Sequence, residues 1–532
     1  MLRMIILATR ALLCGCLAGC ALNTAAAPDT ATAFIEARVG QLRNGETVRA
    51  AGQVLASTVV LPDFYDQRAF RPAWTDPDNV SALLEAVRES MLDGLNPRDY
   101  HLEALEGLAS APAGPRRDAD LDMLATDATL RLAYHLRFGK VDVRRIDADW
   151  NFRPDPGAPL LSGPAQAIEQ TLARGRLREA LGVLRPSQRV YEQLRGALAR
   201  YRAIAAAGGW RFLPAGTTLR PGAADPRLPA LRERLRIEGD LDPGADGDAT
   251  YDEATEAGVR RFQERHGLEP DGLVGRRTLR ALNQPVAGKI DRLRLSLERA
   301  RLLLHDLPQR YVLVNVPGYR LYYIDGTVRF AANVVVGKMV AKTPIFRAEI
   351  THLVVNPSWT VPPGIMQREV IPGLAKDPRY LEKKGLQRVG NRIVQMPGPD
   401  NALGRIKIML PNRHLVYLHD TPQKQQFEAD RRTFSSGCIR VQDVFELAAL
   451  LLDDPQHWSQ ARLLEAADTG RTLTLNLHER VPVLLAYLTA VVRGEGVHFF
   501  EDIYRRDPAE LEALDAPFSF PRDRRPGMQG KP

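Results

Sequence analysis

Of the four cysteines in this chain, Cys14, Cys16 and Cys20 crowd the amino terminus and Cys438 stands alone. Cys438 closes a run of small residues, Phe434-Ser435-Ser436-Gly437-Cys438-Ile439-Arg440-Val441. A histidine lies 19 residues upstream, in Leu415-Val416-Tyr417-Leu418-His419-Asp420-Thr421-Pro422. A thiol attacks only as thiolate, so a working nucleophile needs a cationic neighbour or a helix N-terminus to bring its pKa down from about 8.5. Both are expected here: His419, and an amphipathic helix over 441–452 directly after Cys438. Small residues also let successive backbone N–H groups converge on one point, which is how an oxyanion hole is made. The pattern therefore points to a nucleophilic cysteine served by a histidine base.

Two histidines compete to be the base. Side chains alternate along a strand, so in a strand ending at His419, Tyr417 shares its face and His414 points away. The base belongs at the strand end, beside the nucleophile loop, which favours His419. One cysteine with two oppositely facing histidines is a poor tetrahedral zinc set. No metal and no cofactor are expected.

Bringing these side chains together takes a sheet, and the second half of the chain reads as one. Tyr311–Val316, Tyr319–Ile324, Arg329–Val336, His352–Val355 and Leu415–His419 are rich in β-branched and aromatic residues. A basic, helix-like insertion over 362–404 interrupts the series and is expected to be a lid. A strand over 472–477 and a helix over 483–492 should follow, making 481–505 a C-terminal helical region. Residues 506–532 are expected to be a disordered tail.

The first half differs. A length of 532 residues implies several cores, and apolar and charged fractions of 45% and 26% are those of a soluble globular protein. The net charge of +8 is spread along the chain and suits an anionic surface or an ordinary solvated exterior equally. Over 34–220, runs such as Leu121-Met123-Leu124-Ala128-Leu130 have three-to-four-residue apolar spacing. They describe a helical scaffold domain without a catalytic constellation.

Residues 225–285 combine Phe262-Gln263, Gly267-Leu268, Asp271-Gly272-Leu273-Val274-Gly275 and Thr278-Leu279. This closely resembles the three-helix peptidoglycan-binding domain. At the amino terminus, Arg3 and Arg10 precede the apolar run Ala11–Leu17 and then Leu17-Ala18-Gly19-Cys20. That is similar to a bacterial lipoprotein signal. The resemblance implies removal of residues 1–19, lipid on Cys20 and a tether over 20–33. Cys438 would then be the single free thiol in an oxidising compartment, which marks it as reactive. Ala21 after the lipobox resembles lipoproteins sent to the outer membrane. The expected location is the periplasmic face of the envelope, anchored by lipid.

His419 followed by Ser435-Ser436-Gly437-Cys438-Ile439-Arg440 resembles the L,D-transpeptidase catalytic domain, here 309–480. Its motif normally reads Ser/Thr-His-Gly-Cys; Ser436 replaces the motif histidine, whereas the upstream histidine usually assigned as base is present. The order of segments resembles the long, multi-domain Gram-negative members. The implied architecture is a helical scaffold, a peptidoglycan-binding domain and a mainly-β catalytic domain with an inserted helical lid. The implied reaction is attack by Cys438 on the stem-peptide carbonyl between a diamino acid and the terminal D-alanine. His419, oriented by the Asp420 carbonyl, protonates the leaving amine, and Gly437 and Cys438 amides with the Tyr417 hydroxyl hold the oxyanion. Another stem's amine then gives a 3→3 cross-link. Trp359, Arg440 and Ser436 are expected beside substrate. The implied partners are stem peptides, glycan strands and, through the lipid, a membrane; nucleic acid is not expected. A cysteine peptidoglycan hydrolase or carboxypeptidase and a non-catalytic wall-binding lipoprotein remain the alternatives.

Overall fold

The computed structural model describes residues 30–148, 150–152, 163–244, 250–494 and 496–517. The leader, the lipobox and Cys20 lie outside the described residues. The first helix, Ala31–Arg43, begins in the last three residues of the expected tether and continues into the expected scaffold; the Thr30 hydroxyl caps it by accepting the Ala33 N–H at 3.2 Å. The scaffold packs short helices around the long helix Pro115–Phe138, most of whose residues are buried. One small hairpin, β1 (Arg49–Ala50) with β2 (Gln53–Val54), sits beside it.

Helices Leu228–Glu238, Glu253–Arg265 and Arg276–Leu282 enclose a separate small core that includes Leu231, Leu235, Val259, Phe262 and Leu282. The Phe-Gln pair explains how so small a unit holds its turn. Phe262 fills the core. Gln263 donates to Asp271 Oδ1 at 2.7 Å and the Leu273 carbonyl at 3.0 Å, and accepts the Gly272 N–H at 2.9 Å. Helix Val286–Leu303 then runs against Arg189–Ala206 and carries the chain into the sheet.

That sheet is built from β3 (Arg310–Asn315), β4 (Arg320–Asp325), β5 (Thr327–Gly337), β6 (Phe346–Val355), β10 (Ile406–Met409), β11 (Leu418–His419), β12 (Thr433–Ser435), β13 (Ile439–Val441) and β14 (Leu473–Ala486). The order is β12-β5-β13-β11-β10-β6-β14-β3-β4, and β4 pairs back onto β5, so the sheet closes on itself. β7 (Trp359–Thr360), just ahead of the insertion, forms a three-stranded sheet with β8 (Leu386–Val389) and β9 (Arg392–Gln395) inside it. The insertion is thus half helical, over Pro363–Lys376 and Tyr380–Lys383, and half hairpin. Gly390, at φ +56°, turns that hairpin.

Three expectations are corrected. The helix after Cys438 begins at Val444, because Ile439–Val441 enters the sheet between β5 and β11. The N-terminus of that helix therefore does not directly follow Cys438. The helix expected over 483–492 is strand: β14 continues to Ala486, and β15 (Ala490–Arg493) pairs with β16 (Gly496–Phe499). The region 481–505 is accordingly not helical. Val483, Leu484, Leu485 and Ala486 are buried, and β14 is bonded on both edges, to β3 and β6. A strand buried on both faces has a continuous apolar run, which periodicity cannot distinguish from a buried helix.

The start of the expected disordered tail is a docked helix, Asp507–Asp515. The buried Arg299 binds Asp507 Oδ1 and Glu510 Oε2, each at 2.7 Å. Removing both carboxylates leaves a buried guanidinium unpaired, which costs about 3–5 kcal/mol. The double substitution Asp507→Asn, Glu510→Gln should lower the thermal unfolding midpoint measurably. An unchanged midpoint would make this helix decoration.

Candidate active site

The site is assembled by one ladder. β11 lies between β10 and β13: Lys407 pairs with His419, and His419 pairs with Arg440. Directly paired residues project to the same face of a sheet, so Lys407, His419 and Arg440 form a row across three strands. One step along, the Ile439 N–H donates to the Tyr417 carbonyl at 3.1 Å, placing Cys438 beside Tyr417. The Tyr417 and His419 rings meet edge-on with centroids 5.7 Å apart. His414 instead tilts against Phe346, at 4.9 Å. The expected strand over 415–419 is real only at Leu418–His419, because Leu415 has φ +56° and breaks the alternation. The two histidines still lie in different surroundings, but through that turn rather than through strand period.

His419 is buried, and its Nδ1–H donates to the Asp420 carbonyl. That contact assigns the tautomer and leaves Nε2 with its lone pair. Burial, then the Arg440 charge and more weakly Lys407, hold its pKa down at about 3, against the opposing pull of Asp420. The ring is neutral at physiological pH. Asp420 is itself fixed, its carboxylate accepting the Arg405 N–H at 2.9 Å and pairing with Lys424.

Cys438 is partly exposed. Desolvation raises its pKa; the Tyr417 N–H and hydroxyl and the Lys407 and Arg440 charges pull it down without winning. Burial thus works against the thiolate that the neighbouring cations favour. Burial raises the Tyr417 pKa, and Cys438 and Trp359 both lie close enough to its hydroxyl to shift it as well; the Cys438 thiol itself donates to the Leu415 carbonyl at 3.8 Å. Trp359 belongs to β7 and packs in the insertion's own core with Val361, Val370, Leu386 and Ile393. One indole thus connects the insertion to the nucleophile.

The loop before Cys438 is braced in ways its sequence conceals. Ser435 Oγ donates to the Cys438 carbonyl at 2.5 Å and accepts the Gly437 N–H at 3.2 Å. The Gly437 amide is therefore already engaged. Gly437 has φ +118°, a conformation that a side chain would strain. Thr343, fully buried, donates from Oγ1 to the Gly437 carbonyl at 2.9 Å and accepts the Gly337 N–H at 2.9 Å. The Tyr504 hydroxyl donates to the Gly337 carbonyl at 2.7 Å and accepts the Thr343 N–H at 3.1 Å. Ser436 is exposed. Arg440 donates to Gln423 and Gln426 at 2.8 and 2.6 Å. Thr343 and Tyr504 were not marked in advance; contacts across 161 residues leave no local signal. Among the described residues no group of three or more His, Cys, Asp or Glu could hold a metal, and no helix is long and apolar enough to cross a membrane.

Two outcomes follow. Alkylation of Cys438 by iodoacetamide should rise with pH through a midpoint above that of an ordinary thiol, since burial opposes the thiolate. A plateau at neutral pH would instead mean a preformed thiolate–imidazolium pair. Thr343→Val keeps the volume but strips two buried backbone groups of a partner, costing about 1–3 kcal/mol. It should slow reaction at Cys438 about tenfold or more, with Thr343→Ser close to the parent; equal rates would remove Thr343 from the positioning of the loop.

Comparison with known proteins agrees with this layout. Residues 309–469 match the L,D-transpeptidase catalytic domain, 60–198 a scaffold domain and 225–282 a domain described as peptidoglycan-binding. A curated Haemophilus influenzae protein, provisionally named an L,D-transpeptidase, is 30% identical over 217 residues, covering 37% of this chain and 44% of that protein. The chain thus spans less than half the length of this curated relative. A crystal structure of an L,D-transpeptidase from Xylanimonas cellulosilytica is 18% identical, with 51% of this chain and 99% of that one covered at a TM-score of 0.18. The Ldtfm–avibactam carbamoyl enzyme is 14% identical, with 55% and 98% covered at a TM-score of 0.19.

Proposed function

We propose that this chain, which belongs through residues 309–469 to the L,D-transpeptidase family, forms 3→3 cross-links in peptidoglycan through a Cys438 thioester. The observation that carries the reading is the edge-on contact of Tyr417 with His419, whose Nε2 is left as an acceptor, with Cys438 brought beside Tyr417 by the Ile439–Tyr417 backbone bond. In this mechanism a donor stem lies in the cleft between the insertion and β11. His419 Nε2 takes the thiol proton as sulfur attacks the carbonyl between the diamino acid and D-alanine. Because the resting imidazole is neutral, its Nε2 is available to accept that proton. The Cys438 N–H and the Tyr417 hydroxyl are the proposed oxyanion donors, Gly437 being turned to Ser435. His419 returns the proton to the departing D-alanine amine. A second stem's side-chain amine then attacks the thioester, and the thiol is regenerated.

The other parts fit this task. The insertion over 362–404 covers the thioester and excludes water, with Trp359 as its contact to the site. Ser436 and Arg440 border the substrate, and the helices over 225–282 hold the enzyme to glycan strands. Lipid on Cys20 keeps it on the envelope, at the outer membrane. The test is incubation with purified muropeptides carrying tetrapeptide stems. Mass spectrometry should show an acyl group on Cys438 and a 3→3 dimer as product. Cys438→Ala should give neither, and His419→Ala should lower acylation by orders of magnitude, while His414→Ala stays near the parent. Trimmed monomers without dimers would favour the hydrolase or carboxypeptidase instead.

A further inference from the structure

Two cations line the row that holds His419, and neither has an acidic partner among the described residues. Arg440 is satisfied by the neutral Gln423 and Gln426 side chains. Lys407 is half-buried on β10, directly across from His419. Its ammonium stands 3.8 Å from the centroid of the Tyr417 ring, and its field reaches Cys438 and His419. The fully buried cations Arg299, Arg301 and Lys289 have carboxylate partners in Asp507 and Glu510, Glu298 and Glu238, whereas half-buried Arg320 and Arg432, like Lys407, meet neutral oxygens or rings; what sets Lys407 apart is its place beside Cys438 and His419. Leaving an ammonium half out of water without a counter-anion is unfavourable unless something supplies the charge. A cation on an aromatic face beside the nucleophile is a ready receptor for an incoming anion.

We propose that Lys407 is a specificity-determining residue that binds a free carboxylate of the acyl donor. This rests on the transpeptidase reading for the identity of the donor. The carboxylate is either that of the terminal D-alanine or the α-carboxylate of the diamino acid. The aromatic face of Tyr417 fixes the ammonium on one side, and the donor's carboxylate takes the other. A donor whose carboxylate meets Lys407 has its scissile carbonyl held near Cys438 while His419 stays free for proton transfer.

A first experiment needs no transpeptidation. Alkylation of Cys438 in the full chain is followed by peptide mass spectrometry at that residue, with iodoacetate and iodoacetamide in parallel. Both reagents form the same S–C bond with loss of iodide, and only the first carries a carboxylate. In Lys407→Met and Lys407→Gln the iodoacetate-to-iodoacetamide rate ratio should fall by roughly fivefold, and Lys407→Arg should restore most of it. A ratio unchanged in both variants overturns the proposal, since a merely structural lysine would alter both rates alike. A second experiment uses tetrapeptide donors. Lys407→Met should raise KM about tenfold or more with a smaller change in kcat. If the D-alanine carboxylate is the ligand, amidating it abolishes that penalty; if the diamino-acid carboxylate is, amidating that one does. A penalty that survives both amidations overturns the proposal. Absence of dimer from the parent protein would defeat the transpeptidase reading while leaving the alkylation ratio able to decide on Lys407.

Discussion

The site depends on the register of a strand two residues long. Leu418–His419 is held on one edge by Lys407–Ile408 and on the other by Ile439–Arg440. Side chains in a sheet alternate faces with period two, so a slip of one residue would turn His419 into the interior and Leu418 into the cleft. What prevents the slip is burial: Ile408, Leu418 and Ile439 are all fully buried on the opposite face. The apolar core that fixes this ladder is therefore also what aims the chemistry. A strand this short has little register preference of its own, and its neighbours supply it.

The second constraint is electrostatic. A buried imidazole between two cations stays neutral, and a thiol in partly desolvated surroundings stays protonated. Such a pair is quiet at rest. For a single thiol this arrangement limits adventitious oxidation, because oxidation follows thiolate character. It also places two cations, Lys407 and Arg440, beside the Cys438–His419 pair.

The domains are tied together by buried charges rather than by linkers. Lys289, fully buried in helix Val286–Leu303, donates to Glu238 Oε1 at 2.5 Å and contacts His266 Nε2 at 2.8 Å. Those partners sit on the helices of the small three-helix unit, so that unit is clamped to the long helix, and burial brings the Lys289 pKa down to about 7. On the same helix Arg299 holds the C-terminal helix Asp507–Asp515. Just before that helix, Tyr504 braces Thr343 and through it Gly437. The nucleophile loop is thus supported by residues beyond the matched catalytic segment.

The sequence by itself determined the lone thiol beyond the amino terminus, the two histidines near it and the three-helix unit. These are carried by residue types in short, local patterns: a lone thiol after small residues, a Phe-Gln pair before a glycine turn. It also marked Trp359 and the insertion. It did not determine whether the apolar runs over 441 and 483–486 were helix or strand, since their state is set by which strands lie on either side. It credited Cys438 with a helix dipole that the entry of Ile439–Val441 into the sheet removes. Lys407 reads in sequence as one more polar residue in an alternating strand, and Thr343 and Tyr504 as ordinary loop residues. Only the closed sheet shows Lys407 opposite His419 and Tyr504 against Gly337. Pairing partners and burial are properties of the folded neighbourhood, and no local spacing encodes them.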